Sequence, residues 1–129
     1  MTPCIRTLLL LLIFVPSSSY ALCVKVTRAN LRAGPGTHNT KTWEVYKYMP
    51  LRQIKRKRSW LKVKDVDGDF HWIYSKLVTK SFNCAVVKSK RANLRKGPGT
   101  HYGKKPYLSS VEKYTSFKLL KVKGKWAKL

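Results

Sequence analysis

ANLRAGPGTH runs from Ala29 to His38, and ANLRKGPGTH runs from Ala92 to His101, one ten-residue stretch written twice at an offset of 63 with a single substitution. Gly-Pro-Gly-Thr suits a tight turn, because proline presets φ near −65° and glycine accepts positive φ. Before it, Asn-Leu-Arg alternates polar, apolar, polar, the pattern of a half-buried strand entering the turn. The ten residues hold no carboxylate and no cysteine, so they read as punctuation between strands.

The repetition extends outward and sets the fold class. Leu51-x-x-Ile54 and Trp60-x-x-Val63 return as Phe117-x-x-Leu120 and Trp126-x-x-Leu129 at an offset of 66, so the second copy carries three extra residues in the loop between. Apolar residues in these segments mostly alternate with lysines, no long helical period occurs, and Asp67-Gly68 between strand-like stretches marks a hairpin. The expected fold is all-β: two small antiparallel barrels in tandem, over residues 22–80 and 81–129, the second lacking its C-terminal strands.

Residues 1–21 are set apart, because Arg6, the apolar run Thr7 to Val15 and Ser19-Tyr20-Ala21 have the layout of a secretory signal cleaved after Ala21. The apolar run is too short to span a bilayer. A lipid-anchoring signal ending at Cys23 is disfavoured by the bulky Leu22. Export to the periplasm or beyond leaves two cysteines once Cys4 departs, and Cys23 and Cys84 are expected to pair in an oxidising compartment. Two buried, unpaired thiols are the alternative.

Charge is the strongest compositional signal: 28 Lys and Arg against five acids give +23. Without residues 1–21 the balance is 27 against five, +22, shared as +10 over residues 22–80 and +12 over residues 81–129. No single tail carries it. Such a field attracts anionic polymers in a salt-dependent way and says nothing of fold. Lys55, Arg56, Lys57 and Arg58 form the densest run; export excludes nuclear targeting, and the run reads as a solvated loop or a polyanion patch.

Taken together, ANLRAGPGTH, WLKV and DGDFHWIYSKLV resemble the bacterial SH3-like (SH3b) domain, whose signature runs Asn-x-Arg-x-Gly-Pro-Gly-Thr, a mid-domain Trp, an Asp-Gly turn and a closing Gly-Trp strand. The resemblance covers Cys23 to Lys80 and most of the second copy. It implies a small, partly open antiparallel barrel and a binding or wall-targeting role without catalysis. It also makes Asn30, Gly34, Pro35, Gly36, Trp60 and Trp72, with Asn93, Gly97, Pro98, Gly99 and Trp126, structural positions, Trp60 and Trp72 in the core. His71 stands where the family usually has glycine. The second copy stops at the equivalent of Val63, which leaves strand edges open and core residues such as Leu120 and Trp126 exposed. A fragment of a longer chain is the expected explanation, with strand exchange between two molecules or partial disorder as alternatives.

Catalysis is not expected. His38 and His101 occupy one repeat position just past a turn, both cysteines are assigned to a bridge, and Asp65-x-Asp67-Gly68-Asp69 lacks the ligand spacing of a calcium loop. No metal and no cofactor are called for. Trp43, Tyr46, Tyr48, Trp60, Trp72 and Tyr74 exceed what so small a core can bury, so some should be exposed. Trp43, Tyr46 and Tyr48 are the surface candidates, joined by Arg32, Arg95 and Tyr102 beside the two turns. The arginines either brace their loops or touch ligand. The expected role is an exported binding module for peptidoglycan or another envelope component; the alternative is a charge-driven binder of lipopolysaccharide, teichoic acid or extracellular nucleic acid.

Overall fold

A computed structural model of the chain describes residues 7–8, 13–14, 21–106 and 108–129. The proposed export signal, Cys4 included, therefore lies almost wholly outside the described residues. Within it only Thr7–Leu8 (β1), Ile13–Phe14 (β2) and Ala21 are described.

The described residues are all-β apart from one 3-10 turn at Ser75–Leu77. β3 (Ala21–Val24), β4 (Arg28–Arg32), β5 (Lys41–Tyr46), β6 (Pro50–Lys57), β7 (Trp60–Lys64), β8 (Phe70–Tyr74) and β9 (Val78–Thr79) form one antiparallel sheet ordered β5-β4-β8-β7-β6-β3-β9. Alternation decides which face each residue takes. Ala29 and Leu31 of β4, Leu61 and Val63 of β7, and Ile73 of β8 point inward to join Val24, Val45, Met49 and Leu51 in the buried cluster. The hairpin expected at Asp67-Gly68 joins β7 to β8, with Gly68 at φ +90°.

The strand pairing corrects two expectations. Trp60 and Trp72 are not core: cross-strand pairs Trp60↔Tyr74 and Lys62↔Trp72 alternate with the buried pair Leu61↔Ile73, so both tryptophans lie half-buried on the outer face. Lys55 to Lys57 do not form a loop but lengthen β6, and only Arg58 lies in the turn to β7. Ile54 is 44% exposed, since alternation from the buried Leu51 places it on the outer face, at the slip in the ladder between Gln53 and Lys55. Its counterpart at the offset of 66, Leu120, is 55% exposed. Exposure at this position therefore occurs even where closing strands are present, and does not require their absence.

The remaining strands are β10 (Asn83–Val87), β11 (Arg91–Arg95), β12 (Ser110–Glu112), β13 (Ser116–Leu119), β14 (Lys121–Lys123) and β15 (Trp126–Lys128). They build smaller sheets ordered β1-β11-β12, β13-β10-β2 and β14-β15. Their buried cluster is only Val87, Ala92, Leu94 and Val111, with Phe117 and Leu129 packed against it. In the uncleaved chain, the edges expected to be open on β10 and β11 carry short partners, β2 and β1, from the segment read as the export signal. Cys23↔Thr79 and Val24↔Val78 in the large sheet correspond, 63 residues on, to Val86↔Phe14 and Val87↔Ile13; Arg32↔Trp72 corresponds to Arg95↔Thr7.

Cys23 and Cys84 are joined in a disulfide with Cα atoms 6.0 Å apart. The bridge ties β3 to β10, and Val86 of β10 enters the large buried cluster, so the second segment is fastened to the first.

Backbone strain repeats as well. Tyr48 and Tyr114, 66 residues apart, have φ of 75° and 72°; Arg58 and Gly124, again 66 apart, have 55° and 58°. A left-handed conformation costs a residue with a Cβ about 1–2 kcal/mol, which glycine avoids at the expense of a floppier unfolded chain. Arg58→Gly should therefore raise stability by about 0.5–1 kcal/mol. A urea midpoint below that of the parent protein would contradict this.

Candidate binding clefts

The outward residues of β4 and β5 meet the outer face of the β7–β8 hairpin at the first Gly-Pro-Gly turn, and a cleft of about 740 Å³ opens there. Gly36, at φ +145°, lets the turn fold back beside His38, whose ring sits where a Cβ on residue 36 would fall. Trp60 and Tyr74 supply the aromatic wall, their rings 5.7 Å apart and tilted by 51°. Arg28, Arg32 and Lys41 supply three cations against one carboxylate, Glu44. Lys41 Nζ donates to Glu44 Oε1 at 2.8 Å and Arg28 donates to Oε2 at 3.4 Å. The Lys41 hydrogen bond chiefly, with Arg28 adding, holds the Glu44 carboxyl below its ordinary range while partial desolvation works against them. The cleft stays net positive beside flat ring surface, a combination suited to a sugar or peptide plane bearing an anionic group.

A second cleft, of about 660 Å³, lies between the two segments. Trp43, Tyr46 and Met49 line it from one side, Glu112, Tyr114 and Ser116 from the other. Trp43 and Tyr114 meet edge to face with centroids 5.2 Å apart. Two hydrogen bonds pin the junction: Tyr114 Oη donates to Asp67 Oδ2 and Ser116 Oγ donates to the Lys47 carbonyl, both at 2.7 Å. The bond to Asp67 raises the Tyr114 hydroxyl above its ordinary pKa, since losing the proton would set two negative charges together.

The structure distributes the six expected binding residues over several places. Arg32 lines the first cleft; Trp43 and Tyr46 line the second, Tyr46 being 57% exposed and Trp43 half-buried against the core. Tyr48 belongs to neither: it packs on Phe82 with centroids 5.6 Å apart, under the Lys47 ammonium. Arg95 and Tyr102 stand at the second turn. Arg32 donates to the Asn39 carbonyl at 2.9 Å and Arg95 to the Tyr102 carbonyl at 3.0 Å, so both arginines brace their loops in the same way. Tyr102 joins Trp126, His101 and Pro98 around a hollow of about 590 Å³, and its ring lies where a Cβ on Gly97 would fall. Trp60, assigned to the core by resemblance, is the residue that joins the first cleft to Lys57 and Arg58 of the basic run, through a smaller hollow at Pro35. Lys55 lies over the Trp72 ring at 5.9 Å.

Arg28, Lys41, Tyr74 and Tyr114 went unsuggested by sequence. The first three are ordinary outward strand positions until β4, β5 and β8 are assembled. Tyr114 had a usable signal, its place 66 residues after Tyr48.

His71 is also more than a side chain in place of a glycine. It is 8% exposed and Asp65 5% exposed; His71 Nε2 meets Asp65 Oδ2 at 2.7 Å, and Thr42 Oγ1 meets His71 Nδ1 at 2.7 Å. A carboxylate only accepts, so Nε2 carries the proton facing it; in a neutral ring Nδ1 then accepts from Thr42. Asp65 Oδ1 takes the backbone N–H groups of Asp67 and Asp69, both at 2.9 Å, so the carboxylate braces its own hairpin turn. Thr42 lines neither cleft. Among the described residues no three His, Cys, Asp or Glu side chains converge as a metal site, and no helix is long and apolar enough to cross a membrane.

Residues 25–80 match the family model of the bacterial SH3 domain, which spans β4 to β9 and both walls of the first cleft. A search among curated proteins gives no match. The first cleft thus lies wholly within the stretch that is similar to a bacterial SH3 domain.

Proposed function

We propose that the protein is exported, its leader removed after Ala21, and that it serves as a non-catalytic binding module for peptidoglycan, with residues 81–129 a second, incomplete copy of the 22–80 domain. The observation that carries this is the first cleft, where Trp60 and Tyr74 stand beside Arg28, Arg32 and Lys41. Peptidoglycan combines sugar rings, which stack on aromatic faces, with free carboxylates, which meet the cations. The Cys23–Cys84 disulfide agrees with an oxidising compartment outside the cytoplasm.

A second reading, charge-driven binding of an anionic polymer, is favoured by Lys55, Arg56 and Lys57 standing in a row on β6 within a chain of net charge +23. Salt separates the two, since counterion release makes polyanion binding fall steeply as salt rises. The protein should co-sediment with purified sacculi in about 0.5 M salt, where exposed charges interact only over a few ångströms. Trp60→Ala with Tyr74→Ala should release it by at least tenfold, and replacing Lys55 to Arg58 with serine by less than threefold. The reverse ranking would hand the case to the polyanion reading.

A further inference from the structure

We infer that the two clefts form one continuous track for an extended wall glycan, so that the ligand is read over a length greater than one repeating unit. This rests on the peptidoglycan reading above and specifies the ligand within it.

The clefts share a wall. Glu44 lines both, and neighbouring residues of one chain segment, Thr27 and Arg28, line the second and first respectively. Both run along β5, an edge strand of the large sheet with β4 as its only partner there. From Lys41, in the first cleft, to Tyr46, in the second, the strand covers roughly 17 Å at about 3.3 Å per residue. Ring surfaces stand at both ends, Trp60 and Tyr74 at one, Trp43, Tyr46 and Tyr114 at the other. Ring surfaces repeated along a strand suit a polymer whose rings also repeat.

Charge divides the track. The first cleft has three cations against Glu44, whereas the second balances Glu44 and Glu112 with Lys47 and Lys113. The anionic group of the ligand therefore belongs beside Arg28 and Arg32, and neutral sugar rings beside Tyr46 and Tyr114. Because the second segment supplies Tyr114 and Ser116, the track is whole only while Tyr114 holds Asp67 and Ser116 holds the Lys47 carbonyl. Extra ring contacts made by the same bound molecule add affinity without a second association event.

The test is calorimetric titration of the full mature chain with soluble, uncrosslinked peptidoglycan fragments of one, two and four disaccharide-peptide units. Affinity should rise at least tenfold from one unit to four, beyond the fourfold expected from statistical repetition alone. Tyr114→Ala should remove that gain while leaving the one-unit affinity within about twofold. Tyr46→Ala, at an exposed ring that makes none of the junction hydrogen bonds, should do the same and guards against a disturbed fold. An affinity independent of length, or a gain that survives both substitutions, overturns the continuous track and leaves first-cleft binding standing. Failure of every fragment to bind overturns both readings.

Discussion

Replacing both bridged cysteines, Cys23→Ser together with Cys84→Ser, is expected to lower the unfolding free energy by about 4 kcal/mol. The two residues are 61 apart in sequence, and the chain-entropy account assigns a closed loop of that length a stabilisation of this order, chiefly by restricting the unfolded chain. The effect is large for this protein because, among the described residues, the second segment's separate buried cluster is small, built on Val87, Ala92, Leu94 and Val111. Loss of the bridge also frees β10 from β3, so the second segment should melt first. Urea unfolding followed by tryptophan fluorescence gives the free energy, and amide exchange across β10 and β11 gives the order of opening. A loss below 1 kcal/mol, or simultaneous opening of both segments, would mean that packing around Val86 rather than the bridge fastens the two together.

The legible part of the fold was local. Alternation in Asn-Leu-Arg predicts the strand in which Leu31 is buried, the Gly-Pro-Gly turn falls where it is expected, and Asp67-Gly68 predicts its hairpin, but in WLKVK the residue buried beside Val63 is Leu61 and not the expected Trp60. Whatever depended on which strands meet was not legible. Trp60 and Tyr74 are separated by fourteen residues, and only the register of β7 on β8 makes them one wall. The one-residue slip between Gln53 and Lys55 in the β6–β7 ladder is likewise a matter of pairing, and a period-two pattern does not foretell it. Of the two aromatic residues of β5, Tyr46 is 57% exposed and Trp43 is half-buried against the core. The partner across the second cleft, Tyr114, comes from the other segment, and no local pattern indicates how two segments dock.

Asp65→Ala is expected to cost about 2–4 kcal/mol, although the residue touches neither cleft and replaces no apolar volume. Its carboxylate accepts three hydrogen bonds, from the Asp67 and Asp69 backbones and from His71, and water can substitute readily only for the first two because residues 67 and 69 are exposed. His71 remains buried with its donor unpaired, and a buried polar group left without a partner costs more than the hydrogen bond contributed. His71→Ala should cost a comparable amount by stranding the carboxylate, whereas Thr42→Val, at an exposed position, should cost less than about 1 kcal/mol. The decisive measurement is the double substitution. If each single loss is mainly the penalty on the abandoned partner, removing Asp65 and His71 together must cost clearly less than the sum of the two, since neither is then left stranded. Additive losses would mean that the two side chains act separately, Asp65 through its turn and His71 through packing beside Trp43, whose ring lies 6.2 Å away.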